Sequence, residues 1–140
     1  MESVKKKEIN DTHLGYIQNV ITRMGQNSFQ AKGWCITIDS ALIAFDLANK
    51  DTDVAIIISL VVTALFCLLD TYYLYLERGY RSLYNMAANI EKRDKEYRDY
   101  SMTIPKSKKG IGKYFLSLFR FSTGLFYLSI IIGLVIMFVL

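Results

Sequence analysis

Apolar positions along the chain form three blocks, and a periodic polar segment precedes the first of them. Within residues 11–31 the apolar side chains recur at three- and four-residue steps, at Ile17, Val20, Ile21 and Met24. This spacing predicts an amphipathic α-helix, which Asn10 or Asp11 can cap at its start. We expect the helix to be cytoplasmic and to run directly into the first apolar block.

The three apolar blocks are predicted to be membrane spans. Since a helix of about 20 apolar residues crosses the hydrocarbon core, we assign the spans to residues 32–49, 54–76 and 119–140. Trp34, near the start of the first span, suits the interfacial aromatic belt. The first span departs most from a purely apolar composition, because it contains Asp39 and Asp46. A tight turn, Lys50–Asp53, is predicted between the first two spans, with Asp53 as an N-cap.

The stretch between the second and third spans is predicted to be cytoplasmic. The helix of the second span is expected to continue through residues 77–100, where Glu91 and Lys95 have the spacing of an i,i+4 ion pair. Pro105, Gly110 and Gly112 interrupt the helical pattern, so residues 101–118 are predicted to be a basic loop. The predicted fold is therefore all-α, a single membrane domain over residues 1–140 with three transmembrane helices and cytoplasmic helical extensions.

The distribution of charge supports this layout and gives it an orientation. Apolar residues make up 52% of the chain and charged residues 21%, yet residues 121–140 carry no charge at all. Five Lys/Arg occur up to position 32, one lies in the first turn, eleven lie in residues 77–120, and none follows residue 120. By the positive-inside rule, the N-terminus and the basic loop are expected in the cytoplasm and the C-terminus outside it.

The predicted hairpin of the first two spans allows its facing residues to be counted. If the turn is centred near Asp51, residues equally distant from it lie at one depth, because both helices rise about 1.5 Å per residue. Lys32 and Asp70 are then predicted to face each other at the inner membrane boundary as an ion pair. The same count places Asp39 level with Thr63, and Cys35 level with Cys67.

A polar stripe runs along each predicted helix of this hairpin. Lys32, Asp39 and Asp46 recur every seven residues and share one face of the first span, and Thr63 and Asp70 lie on a comparable stripe of the second. Polar side chains in lipid must face protein or water. Three interpretations stay open: contacts between helices or protomers, the lining of a water-filled or ion-conducting lumen with Asp39 foremost, and a proton relay or substrate path.

Small residues on the third span and basic residues near the membrane are the remaining candidates. Ser129 and Gly133 form a small-xxx-small pair suited to close helix packing, although simple lipid exposure explains them equally well. The residues assigned to lipid or partner contacts are Arg78, Arg81, Lys106, Lys108 and Lys109. Ordinary determination of topology also accounts for the lysines, which with Lys113 could each hold anionic headgroups by about 1 kcal/mol.

Catalytic and nucleic-acid functions find little support in the sequence. The only histidine, His13, lies on a polar helix and is predicted to be solvated. No nucleophile, base and orienting group can be assembled, and no metal ligands cluster, so we expect neither an enzyme nor a bound cofactor. Neither a phosphate-binding loop nor an RNA-binding signature occurs, and no nucleic-acid partner is expected.

Two sequence strings carry a resemblance to known proteins. Residues 27–34 (NSFQAKGW) and 69–85 (LDTYYLYLERGYRSLYN), followed by a basic loop and an apolar helix, resemble a set of small bacterial inner-membrane proteins that are mostly uncharacterised. The layout is similar, more loosely, to small membrane effectors of antiphage systems such as the SLATT group. That resemblance implies oligomerisation and permeabilisation of the inner membrane after a partner or nucleotide signal. It assigns no role to Asp39 or Asp46.

Two hypotheses of function follow. In the first, the chain is an inner-membrane effector of an antiphage defence or toxin system that forms a homo-oligomer and permeabilises or disrupts the membrane. In the second, it is a membrane anchor or scaffold that recruits a cytoplasmic protein partner through residues 12–30 and 80–100. Both hypotheses predict contact with membrane lipids.

Overall fold

The backbone is built from four α-helices. The computed structural model describes residues 2–49, 53–106, 109–118 and 121–139. The helices are α1 (Glu2–Asn49), α2 (Asp53–Ala87), α3 (Ile111–Leu118) and α4 (Phe121–Val139). The fold is all-α, 83% helical, and the described residues contain no strand. The predicted turn over residues 50–52 and the side chain of Asp53 lie outside the described part of the chain.

Helices α1 and α2 form a long antiparallel hairpin. α1 is continuous over 48 residues, about 70 Å at 1.5 Å per residue. The polar helix predicted over residues 11–31 and the first predicted span are therefore one rod. α1 packs along α2, and both α3 and α4 contact α2 as well. α2 is the element against which the rest of the molecule is arranged.

Among the described residues, one helix has the length and composition of a membrane span. It is Val54–Ala87, which contains an 18-residue stretch with a mean hydropathy of 2.5, whereas the apolar part of α4, Thr123–Val139, is shorter. α1 is less apolar because its residues 32–49 include two aspartates and a lysine. Many large apolar side chains of α2 and α4 are exposed, among them Leu65 and Ile132. Such a surface is typical of helices that face lipid.

The prediction that α2 continues through residues 77–100 is correct only as far as Ala87. α2 ends at Ala87, and Asn89 adopts the left-handed conformation with φ of 58°. The backbone N–H of Ile90 then donates to the carbonyl of Asn85 at 2.8 Å. Asparagine tolerates this conformation, which ends helices by satisfying their last carbonyls. Residues 88–100 form turns, so Glu91 and Lys95 do not have the helical spacing that their predicted pair required.

The predicted basic loop, residues 101–118, contains a helix. Its first part returns to α2, where Ile104 packs so closely on Gly79 that a Cβ there would lie 2.6 Å from the Ile104 Cδ1. Its second part is α3, whose apolar residues at positions 111, 114, 115 and 118 follow helical spacing. The glycines at positions 110 and 112 obscured that pattern. Gly110, with φ of 158°, instead precedes the helix.

Candidate functional site: a polar network inside the helical hairpin

A buried ion pair joins α1 to α2. The Lys32 ammonium donates to the Asp70 carboxylate, with 2.5 Å between Nζ and Oδ2. Ser28 donates to the other carboxylate oxygen and accepts a hydrogen bond from Lys32 at 3.1 Å. Asp70 is fully buried and the Lys32 side chain is 17% exposed. The two oxygens of a carboxylate withdrawn from solvent are thus both satisfied, as a buried charge requires.

This contact confirms the counted register of the hairpin. Lys32 faces Asp70, and seven residues farther along each helix Asp39 faces Thr63. Residues the same number of positions from a facing pair on two antiparallel helices also face each other, because both helices rise by the same distance per residue. Ser28 was missed by sequence reasoning, although its position one turn before Lys32 is a signal that could have indicated it.

Asp39 is the second buried acid of the network. It is 4% exposed, and its Oδ2 atom accepts a hydrogen bond from Thr63 at 2.8 Å and a weaker one from the Cys35 thiol at 3.4 Å. Its Oδ1 atom is buried with no hydrogen-bond partner among the described residues. An acceptor in this state costs free energy unless water or another chain supplies a donor.

Asp39 also lines an open groove between α1 and α4. The groove has a volume of about 260 Å³, and apart from Asp39 and two serines, Ser40 and Ser129, its walls are mainly apolar. Gly133 lies in the wall of α4, and a Cβ at that position would meet nothing within 4 Å. The small-xxx-small pair Ser129 and Gly133 therefore faces an unfilled space and not a packed helix.

The rest of the predicted stripe is less fully paired. Asp46 is half-buried, and its Oδ1 has no hydrogen-bond partner in the described part of the chain. The Ser59 hydroxyl, on α2, is likewise buried without a partner there. Four predicted residues, Lys32, Asp39, Thr63 and Asp70, are thus brought together across the hairpin, whereas Asp46 lies on the same helix without a polar contact of this kind.

Helix α4 is fixed to α2 by a buried tyrosine. Tyr127 is 2% exposed, and its hydroxyl donates to the carbonyl of Phe66 at 3.2 Å. The Phe126 ring lies 6.0 Å from the Lys32 ammonium. α4 therefore lies beside α2 at the level of the polar network. The pattern of the third predicted span gave no indication of this contact, because a single tyrosine in an apolar run carries no partner information.

The basic residues predicted to contact lipid or a partner have different surroundings. Arg78 lines a cleft between α2 and α3 together with Lys113. Arg81 is paired with Glu77 at 2.8 Å between Nε and Oε1. Lys106 and Lys109 are exposed, and Lys108 lies outside the described residues. The four of these residues that the structure describes are therefore not gathered into one site.

On the side of the ion pair away from the predicted Lys50–Asp53 turn, α1 and α2 form a small apolar core. Ile17 and Ile21 of α1 pack on Leu83 and Ala87 of α2, and flanking side chains cover them, including Leu14, Tyr80, Tyr84 and Tyr97. Burial, with a smaller effect of Asp99, raises the pKa of Tyr97. This part of the molecule holds the residues predicted to be a cytoplasmic amphipathic helix.

The prediction that His13 is solvated is wrong. His13 is 5% exposed and its ring contacts that of Tyr100 edge to face, with 5.5 Å between centroids. Its apolar contact arises from the turns of residues 88–100, which bring Tyr100 back over α1. Because those turns were predicted to be helix, no residue of that segment was expected to cover His13.

No metal-binding chemistry is apparent in the part of the chain that the structure describes. Its histidine, cysteine and acidic residues form no group of three that could hold a metal ion, and both cysteines are free thiols. In comparisons with known proteins, no family model, curated protein or solved structure matched this chain.

Proposed function

We propose that this protein is a three-span effector of the bacterial inner membrane that forms a homo-oligomer and permeabilises the membrane as part of a defence or toxin system. The observation that carries the proposal is Asp39, a buried carboxylate with one unpartnered oxygen beside an open groove. Ionisable residues within membrane helices are costly, and they commonly mark ion or proton pathways.

The register of the helices supports three spans. If α2 crosses the bilayer, residues 32–49 of α1 lie at the same depth, because Lys32 and Asp39 contact Asp70 and Thr63. α4 lies there too, since Tyr127 donates to the carbonyl of Phe66. Its 19 residues reach about 28 Å, close to the thickness of the hydrocarbon core. α1 carries Asp39 at this depth because its carboxylate faces Thr63 of α2 and the groove.

The charge pattern supports the orientation. Eleven Lys/Arg in residues 77–120, against one in the first turn, favour a cytoplasmic position for that segment and for the N-terminus. The apolar core formed by Ile17, Ile21, Leu83 and Ala87 is then cytoplasmic. Because α1 and α2 are continuous across this boundary, a signal received by that core has a rigid route to the polar network.

Assembly provides the missing partner of Asp39. The groove between α1 and α4 has an apolar wall, a glycine that allows close approach, and one unsatisfied acceptor. Several copies, packed so that these grooves meet, would place their Asp39 carboxylates around a shared hydrated space, in which water donates to the Oδ1 atoms. Carboxylate rings of this kind favour cations in channels.

Substitution of Asp39 tests the proposal in cells. Asp39→Asn keeps the size of the side chain and its contact with Thr63 but removes the charge. We expect induced wild-type protein to depolarise the cells, and Asp39→Asn to lower the rate of depolarisation roughly tenfold, as a barrier change of about 1.4 kcal/mol would. The measurement is a membrane-potential dye at matched expression, with the presumed trigger supplied.

A neighbouring residue provides the control. Ser40→Ala alters the same groove without removing a charge, and it should leave depolarisation near the wild-type rate. Unchanged membrane potential on induction of the wild-type protein with the trigger present would contradict the effector function. Equal rates for the wild type and Asp39→Asn would remove Asp39 from the mechanism.

A membrane anchor or scaffold is the second candidate function. It is favoured by the closure of the ion pair within one protomer, since Lys32, Ser28 and Asp70 satisfy one another without a lumen. In this role the exposed faces of residues 12–30 and 80–100 would recruit a cytoplasmic protein partner. Such a protein would leave the membrane potential unchanged and would lose its partner when those exposed cytoplasmic surfaces are altered.

A further inference from the structure

A second cleft, distinct from the Asp39 groove, lies between α2 and α3. Its volume is about 340 Å³. The polar side chains in its wall are Tyr75, Arg78, Ser82, Glu91, Lys113 and Ser117. Two cations and several hydroxyl groups around one space are the donors that proteins use to bind phosphate groups. We infer that this cleft binds the phosphodiester of an anionic lipid headgroup.

Arg78 is the residue on which the site depends. Its guanidinium forms no hydrogen bond or ion pair with the residues that the structure describes, and its side chain is partly exposed. Arg81, one turn away, is instead held by Glu77 at 2.8 Å. A guanidinium presents five N–H donors and can bind two phosphate oxygens at once. No described residue uses these donors, so we expect them to bind a ligand in the cleft.

The net charge of the cleft favours a diester. Arg78 and Lys113 contribute two positive charges, and Glu91 contributes one negative charge. The Glu91 carboxylate accepts hydrogen bonds from Ser82 at 3.1 Å and from Asn85 at 3.3 Å. The cleft therefore has a net charge of about +1, which the single negative charge of a phosphodiester would neutralise. A free phosphate dianion would instead leave an excess of negative charge near the Glu91 carboxylate.

The depth of the cleft also favours a lipid. The N–H of Gly110 donates to the Tyr75 hydroxyl at 3.1 Å, and the Tyr114 hydroxyl donates to the carbonyl of Leu68 at 2.9 Å. These contacts place α3 across α2 beside tyrosines of the kind that mark the headgroup level. Arg78 is eight residues beyond Asp70, about 12 Å along the helix.

An apolar surface continues from the rim of the cleft. Leu116 belongs to its wall and is 66% exposed. An acyl chain could follow this surface while its phosphate meets Arg78. The inference rests on the part of the proposed function in which α2 crosses a bilayer, but it requires neither a pore nor an oligomer.

Lipid retention by the purified full-length protein tests the site. Phosphatidylglycerol or phosphatidylcholine is titrated into the protein in neutral detergent, and bound lipid is counted by native mass spectrometry. We expect preferential binding of phosphatidylglycerol, weakened about fivefold in Arg78→Gln, the size of effect expected for one basic contact at a membrane surface. Lys113→Gln should weaken it similarly. Arg98→Gln is the matched control, since Arg98 is exposed and lies outside the wall of the cleft, and this variant should bind as the wild type does.

Two further results would overturn the inference. Equal phosphatidylglycerol binding by the wild type and Arg78→Gln would remove Arg78 from any lipid site. Displacement of the lipid by inorganic phosphate at an equal concentration would assign the site to free phosphate instead. Depolarisation assays on the same variants separate the two proposals. Loss of the lipid preference in Arg78→Gln tests the cleft, whereas slower depolarisation in Asp39→Asn tests the permeabilising function.

Discussion

Replacement of Lys32 by methionine is expected to destabilise the protein more than any other single change at the hairpin. Asp70 is fully buried, and without the ammonium its charge would keep only the hydrogen bond from Ser28. Breaking one side of a buried ion pair costs about 3–5 kcal/mol, because the other charge stays uncompensated. The free energy of unfolding, measured by helical circular dichroism in mixed detergent micelles with increasing dodecyl sulfate, should fall by that amount.

Two further variants give this experiment its control and its rescue. Lys109→Met removes an exposed lysine of the same charge and should change the unfolding free energy by less than about 0.5 kcal/mol. Removing both charges, in Lys32→Met with Asp70→Leu, should recover most of the lost stability, since apolar replacements of buried pairs are often neutral. A double variant as unstable as Lys32→Met alone would show that charge compensation is not what the pair provides.

Replacement of Leu83 by alanine is expected to open the small apolar core between α1 and α2. Leu83 is 1% exposed and packs on Ile17, Ile21 and Ala87, so its truncation leaves a cavity between α1 and α2. Such substitutions cost about 2–5 kcal/mol. Because the core is small, we expect faster amide hydrogen exchange in residues 12–30 and 77–87, with the exchange of the spans unchanged.

An exposed residue of similar volume provides the comparison. Ile90 is 71% exposed, immediately after the end of α2. Ile90→Ala should leave amide hydrogen exchange in residues 12–30 and 77–87 as it is in the wild type. If Leu83→Ala gave the same exchange pattern as Ile90→Ala, the contact between α1 and α2 in this region would contribute nothing to stability.

The register of the hairpin was predictable from the sequence, because it depends on one simple property of helices. Equal rise per residue on both sides of a short turn fixes which residues share a depth. The count therefore found the Lys32–Asp70 and Asp39–Thr63 contacts from positions alone. Ile17 and Ile21 were predicted on the apolar face of the first helix, and both are buried.

Other features depended on local conformations that periodicity does not reveal. α2 ends where Asn89 adopts a left-handed conformation, and nothing in the helical pattern of Tyr80–Tyr97 excludes continuation past that residue. α3 begins between Gly110 and Gly112, two glycines that are typical of a loop. The burial of His13 and the returning Ile104 both follow from the turns after α2, so one misassigned segment accounts for several errors.

The candidate site was predictable only in part, for a related reason. Sequence spacing places side chains on one face of a helix, and this was sufficient for Lys32, Asp39 and Asp70. It does not show which atoms remain without a hydrogen-bond partner, and the unpartnered Asp39 oxygen is visible only once Thr63 and the groove beside α4 are positioned. The cleft at Arg78 likewise requires the position of α3, which the sequence did not predict.

Labelling of single cysteines from the two sides of the membrane tests the central claim, a three-span chain with its lysine-rich part in the cytoplasm. Cys35→Ser with Cys67→Ala provides a background without thiols, into which Thr52→Cys, Lys109→Cys or Leu140→Cys is introduced. With an impermeant maleimide, we expect labelling at positions 52 and 140 in intact cells, and at position 109 only after permeabilisation. Labelling of positions 109 and 140 from the same side would contradict it.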